Sequence, residues 1–404
     1  MASTVDWSQL LPELLELILD RLTCLSDYLH FSSICSSWRS VTLSNRCPPR
    51  LLPFLMLPPS NDNTNQTRPF FNLSSHKIKE LHIPEIHRKW CCGSSHGWLI
   101  TVDESNGEIQ LFNPVSRGRI QLPSLSTFSY PQHNFEPDFP STKHYIHKAI
   151  LSSNPYRTSD YVVVANVTNR KMLAYWKPGA DRWTTIRSEK WVHFEDFIYY
   201  KGLLYAISNN GPLVTYDFSF ETPIGREIIG GPPGGRRCSM YYLVESLGEL
   251  WLVSRQFKWI SNEVDNHDDA DYYKDFMVHP PFVFKTMKFQ VLKMDESKRE
   301  WIQMKSIGDR ILFLGNSYSI SFPTHEFSGC KGNSIYFSDD YTCGPYEPPS
   351  NGYHDMGVFN FDSRRVESFL ELSTPILTTP IFWFTPEPFG SASISFIFKL
   401  FNID

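Results

Sequence analysis

At 404 residues the chain is long enough for two or more domains, and its 41% hydrophobic content suffices for a sizeable core. A formal net charge of -5, with no dense block of lysine and arginine, excludes the electrostatic footprint of a nucleic-acid binder. No basic leader with an apolar run opens the sequence and no stretch is long enough to span a bilayer, which predicts an intracellular protein of nucleus or cytoplasm that engages no membrane. The 8 cysteines are scattered without framework spacing and read as reduced thiols.

Near the N-terminus, Leu11, Leu14, Leu15, Ile18, Leu19 and Leu22 fall on one side of a helix. Pro12 suits the first helical position, and Glu13 and Glu16 sit where negative charge complements the helix dipole. Ser26 can cap a second helix, in which Phe31, Ile34, Cys35 and Trp38 repeat the same spacing. Two helices of about thirty residues in all hide too little surface to offset chain entropy, so both stripes need a partner surface.

The run Leu11-Pro12-Glu13-Leu14-Leu15, then Ile18-Leu19, Arg21-Leu22, Ile34-Cys35 and Trp38-Arg39, resembles the F-box, the short helical motif that docks onto a Skp-type adaptor. The resemblance implies a place in a cullin-based ubiquitin ligase, with cullin and RING subunits joined through the adaptor. The adaptor-binding residues it implies are Leu11, Pro12, Leu14, Leu15, Ile18, Leu19, Leu22, Ile34 and Trp38. One departure is Ser36, which stands where many members carry a basic residue.

After this helical unit, residues 1–48, the clustered prolines of 49–69 forbid a continuous helix and read as a linker. From Phe70 the texture changes to short strands and turns, so residues 70–390 are expected to be mostly β, followed by a tail at 391–404. A weak repeat runs through this part. One half is a glycine turn leading into an anchored strand, at Gly97 to Ile100, Gly202 to Tyr205, Gly248 to Trp251 and, more loosely, Gly332 to Tyr336. The other is a strand closing on Asp or Asn, at Ile109 to Asn113, Leu213 to Asp217, Val291 to Asp295 and Val358 to Asp362. A further strand carries a tryptophan at Trp183 and Trp301. Such units make four-stranded sheets, and their spacing, near the roughly fifty residues of a kelch blade, predicts a kelch-like β-propeller of five to six blades, closed by its terminal strands. A pair of β-sandwiches is the alternative.

Gly93 to Ile100, Leu111-Phe112-Asn113-Pro114 with Leu122-Pro123, and Thr379 to Pro386 resemble the plant F-box proteins whose C-terminal half is a domain of unknown function with kelch-like propeller character. The ending, Gly390 to Asp404, departs from that pattern.

Few constellations point to chemistry. His87, Cys91, Cys92 and His96 are a zinc-type set, but adjacent cysteines in a strand point to opposite faces and do not easily share one tetrahedral ion with both histidines, so a strand entering a blade is the favoured reading over zinc. The acidic run Asn266 to Asp275 lacks the frame of a calcium loop. Gly230 to Arg237 lacks the lysine and the following helix of a phosphate loop. No catalytic residue, metal ligand or cofactor is assigned. Three insertions, Ser124 to His144, Ile260 to Pro281 and Asp339 to Met356, are recognition loops or decoration. The sequence therefore predicts a non-catalytic substrate receptor that binds an adaptor through its helices and a protein substrate of unknown identity through its propeller. The alternatives are an adaptor-bound scaffold outside a ligase and a propeller enzyme such as a glycosidase, marked by clustered acids in the channel with raised pKa.

Overall fold

The computed structural model describes residues 6–22, 25–44, 52–59, 66–128, 145–167, 172–186, 194–208, 212–232, 239–260, 283–327, 330–340, 355–370 and 381–387. A 3-10 turn at Trp7–Gln9 leads into α1 (Pro12–Leu19), with Pro12 at the first position as expected. Two further helices follow, α2 (Leu25–Ser33) and α3 (Ser36–Ser44). The single second helix expected from periodicity is thus broken at Ile34 and Cys35. There Ser33 turns its hydroxyl onto the His30 carbonyl, a local bond that competes with helix propagation, while the Cys35 carbonyl accepts the Arg39 N–H and opens α3. None of the described helices is long and apolar enough to cross a membrane.

Among the described residues the strands form six sheets. β1 (Phe54–Met56), β2 (Thr67–Asn72) and β3 (Lys77–His82) belong to the first. The second is β4 (Lys89–Ser95), β5 (Trp98–Asp103), β6 (Ile109–Phe112) and β7 (Arg119–Leu122). The third is β8 (Ile146–Leu151), β9 (Val163–Val167), β10 (Met172–Trp176) and β11 (Thr184–Thr185). The fourth is β12 (Phe194–Tyr200), β13 (Leu203–Ser208), β14 (Leu213–Tyr216) and β15 (Arg226–Ile229). The fifth is β16 (Ser239–Ser246), β17 (Glu249–Ile260), β18 (Val283–Asp295) and β19 (Glu300–Met304). The sixth is β20 (Arg310–Leu314), β21 (Ile320–Pro323), β22 (Ser334–Phe337), β23 (Gly357–Asn360) and β24 (Arg365–Glu367).

The last strand, β25 (Phe382–Phe384), pairs antiparallel with β1, placing Trp383 opposite Leu55. Six blades therefore close into a ring, with the C-terminal strand completing the first sheet. The closure involves Phe54–Met56, which the prolines had placed in the linker; a three-residue strand flanked by Pro53 and Pro58 leaves no alternation to detect. The sixth blade has an extra strand, since β21 folds back beside β20 and leaves β20 parallel to β22.

The two halves of the repeat have distinct geometries. His96 and Gly97 both take positive φ, 52° and 75°, the two-residue hairpin turn whose twist matches that of the strands it joins; Lys201–Gly202 and Leu247–Gly248 repeat it. The closing Asp or Asn accepts backbone N–H groups two or three residues on, as Asn113 Oδ1 does from Val115 and Ser116 and Asp295 Oδ1 does from Ser297 and Lys298. In the last repeat Asn360 plays this part rather than Asp362. The tryptophans link neighbouring blades, Trp183 donating to the Pro123 carbonyl and Trp301 to that of Gly230. Cys91 and Cys92 part as strand geometry demands, Cys91 into the apolar cluster shared with the first blade and Cys92 into that shared with the third.

Candidate functional site

The apolar stripe of α1 divides into two. Leu15 and Leu19 are buried, 0% and 2% exposed, in one continuous apolar cluster with Tyr28, Phe31 and Val41 of the other helices and Phe54, Met56, Phe70 and Phe384 of the first blade. Leu11, Leu14 and Ile18 remain 62%, 45% and 38% exposed, and Ile34 is 57% exposed. At about 100° per residue, Leu15 and Leu19 share one side of the stripe and Leu14 and Ile18 the other. Pro12 is also exposed, while Leu22 and Trp38 are half-buried against the cluster. The nine residues expected to form a single docking set thus separate by burial. Leu15 and Leu19 pack inside the chain itself, because the helices hold to each other and to the first blade with part of the same stripe.

The support beneath the exposed half is specific. The Phe31 and Trp38 rings lie 4.3 Å apart, and Trp38 Nε1 donates to the Trp7 carbonyl at 3.0 Å, drawing the leading turn onto α3. Tyr28 donates its hydroxyl to the Thr42 carbonyl at 2.9 Å, and burial pushes its pKa up to about 12. Apolar side chains held in water on a packed scaffold mark a surface that gains by being covered.

Within the propeller, charged side chains interrupt the apolar inner strands. Lys148 of β8 is ion-paired with Asp196 of β12, whose other oxygen accepts the Leu243 N–H of β16 at 2.8 Å. Burial pushes the Asp196 carboxyl above its usual range, against the pull of Lys148. Arg255, fully buried, donates to Asp340 at 2.6 Å and to Asp355 at 3.0 Å, and its Cζ lies 4.6 Å from the centroid of the Phe337 ring. Tyr242 donates to the second Asp340 oxygen at 2.5 Å. Lys148, Asp196, Tyr242 and Asp340 line one small cavity with His147, Glu195 and Asn316. Of its acids, Asp196 and Asp340 are each tied to a cation and clasp neighbouring blades together. Sequence reasoning passed over these residues, although a lone charge inside an apolar strand, as in Trp251-Leu252-Val253-Ser254-Arg255, is the available signal.

Most of the three insertions, at 129–144, 261–282 and 341–354, lies outside the described residues, as do the acidic run at 266–275, much of the glycine-rich stretch and the tail at 391–404.

A family model, KIB1-4 beta-propeller, matches residues 70–360. The kelch-like character expected from repeat spacing has no counterpart in that match. The F-box protein SKIP23 of Arabidopsis thaliana is 27% identical over 390 residues, covering 90% of this chain and 91% of its own. The F-box protein At2g17036 of the same plant is 25% identical over 394 residues, covering 90% of each chain. Among solved structures, virginiamycin B lyase from Staphylococcus aureus aligns over 80% of this chain and 85% of its own at 10% identity with a TM-score of 0.36, too low a likeness to support an argument.

Proposed function

This chain belongs to the KIB1-4 β-propeller family, and from that premise we propose that it is the substrate-recognition subunit of a cullin-based ubiquitin ligase. Its helices dock on a Skp-type adaptor, which joins it to cullin and RING subunits, and its propeller holds a protein substrate. The observation that carries this reading is the divided stripe of α1: Leu15 and Leu19 anchor the helix, while Leu11, Leu14 and Ile18 stand in water on the same helix. Covering the exposed part of each of these side chains contributes about half of the roughly 1.5–3 kcal/mol of full burial, so the three favour a contact and leave the rest to its other residues.

No bond is made or broken by the chain itself. Fixing a substrate lysine near an activated ubiquitin raises its effective concentration, which is the gain of any tethered reaction. The inter-blade clasps suit this role, since a rigid ring holds its surface loops at fixed distances.

Co-purification with a Skp-type adaptor tests the proposal, comparing the wild type with the double variant Leu14→Asp, Ile18→Asp. Both positions are exposed, so the variant melts with the wild type but loses the adaptor. A wild type that binds none of the adaptors offered overturns the reading.

A further inference from the structure

Among the described residues three arginines of the propeller are buried, Arg68, Arg255 and Arg310, and of these only Arg68 has a buried nitrogen with no hydrogen-bond partner. Arg255 has two carboxylates, the Thr286 and Tyr242 hydroxyls and the Ser338 carbonyl around it. Arg68, in β2 opposite Leu81, is turned inward and buried, yet its Nη1 has no hydrogen-bond partner among the described residues. A buried guanidinium without a counter-charge is costly, and proteins keep one only where something repays it.

At Arg68 the cost of burial outweighs what neighbouring charge returns. Burial pushes the Cys91 thiol up, so it is neutral at pH 7. Glu104 acts on Arg68 only through its field. Glu85, on the adjoining 3-10 turn Pro84–Ile86, is engaged elsewhere by Arg117 at 2.7 Å and Arg119 at 3.5 Å.

Arg68 nevertheless borders a recess. Gln66, Thr67, His87 and Arg88 line it with Arg68 and with apolar side chains, Arg88 being exposed, and no carboxylate is among the described residues that line it. Two guanidiniums, an imidazole and an amide around a small opening are a donor set for a compact dianion, and a guanidinium fork matches the geometry of phosphate oxygens. A single carboxylate would leave one of the two cations unbalanced.

We propose that this recess beside Arg68 is a binding site for a phosphate-class oxyanion, either free phosphate or the phosphoryl group of a modified side chain. The anion bonds Arg68 at the floor and Arg88 at the rim. The site is independent of adaptor docking, and it makes the packing of the first two blades sensitive to phosphate.

The test is thermal melting of the full chain in sodium phosphate against sodium chloride at matched ionic strength. Phosphate is expected to raise the melting temperature along a saturating curve, which separates a site from the general, non-saturating effect of an excluded salt. Arg68→Met abolishes that curve and, without phosphate, melts at or above the wild type because the unpaired charge is gone. Arg88→Ala, altered only at an exposed side chain, keeps the fold and weakens apparent phosphate affinity about tenfold. A phosphoserine peptide competing more tightly than phosphate assigns the site to a modified side chain; equal or weaker competition assigns it to the free ion. Equal melting in phosphate and chloride, or a saturating shift that both variants retain, overturns the proposal.

Discussion

Lys148 and Asp196 form an ion pair with both side chains out of water, joining the inner strands of the third and fourth blades. Because Asp196 also accepts the Leu243 and Phe197 N–H groups, one carboxylate ties together strands of three neighbouring blades. Removing its charge strands the lysine. Asp196→Asn is expected to cost about 3–5 kcal/mol, while replacing both members by apolar residues of similar volume costs far less. Denaturant unfolding of the single and double variants measures the difference, and equal losses would show that the pair acts through packing alone.

Gly93 marks a close approach of backbone to backbone between the second and third blades. A methyl group on its Cα would lie 2.0 Å from the Ala149 carbonyl oxygen of β8, and both atoms belong to strand backbone that cannot swing aside. Gly93→Ala is expected to lower stability by at least about 2 kcal/mol through overpacking. Gly202→Ala is a useful comparison, since nothing lies within 4 Å of its Cβ position but φ is +79°, so any loss there comes from the backbone alone. Melting curves of the two variants separate the two causes.

Glu387 follows the closing strand β25 and holds it to the ring. Its oxygens lie 3.5 Å from His96 Nδ1 and 2.7 Å from the Asn154 amide that donates to it. Burial raises the Glu387 pKa, but the His96 contact and the Asn154 bond prevail and hold it below the ordinary carboxylate range. A depressed folded-state pKa means that the unfolded chain binds the proton more readily. The contribution of Glu387 is therefore present above its unfolded pKa and is lost as pH falls through the folded one. Melting wild type and Glu387→Gln between about pH 3 and 6 is expected to show a gap that closes at the acid end. A gap independent of pH would leave only a neutral hydrogen bond.

Much of the propeller was legible because its repeat rests on local rules. His96–Gly97 and Asn113 dictate their turns through residues one to three positions away, and such signals survive in sequence. The clasps were not legible, since Arg255 finds Asp340 at a separation of 85 residues and Lys148 finds Asp196 at 48, distances over which spacing carries no information. Strand β1 was hidden for another reason. Only three residues long between prolines, it is defined by its pairing with β25 and not by any pattern of its own. On α1, periodicity identified the apolar residues correctly but could not say which of them the chain itself would cover.

That last distinction gives the sharpest test of the helical face. Leu14 and Leu15 are adjacent, chemically identical and about 100° apart around the helix, yet Leu14 is exposed and Leu15 sits in the cluster with Phe54 and Phe70. Leu15→Ala is expected to destabilise the helical unit by about 2–5 kcal/mol, because it empties a packed site. Leu14→Ala is expected to leave melting within about 0.5 kcal/mol of the wild type. If α1 docks on a partner, the order reverses in binding. Leu14→Ala then weakens adaptor affinity tenfold or more, as the loss of about 1.4 kcal/mol or more of apolar contact requires. Leu15→Ala weakens it only by the fraction of helices unfolded. Calorimetric titration of an adaptor into each folded variant, beside its melting curve, separates the two roles. Equal effects of both residues on stability and on binding would mean that α1 presents no outward face at all.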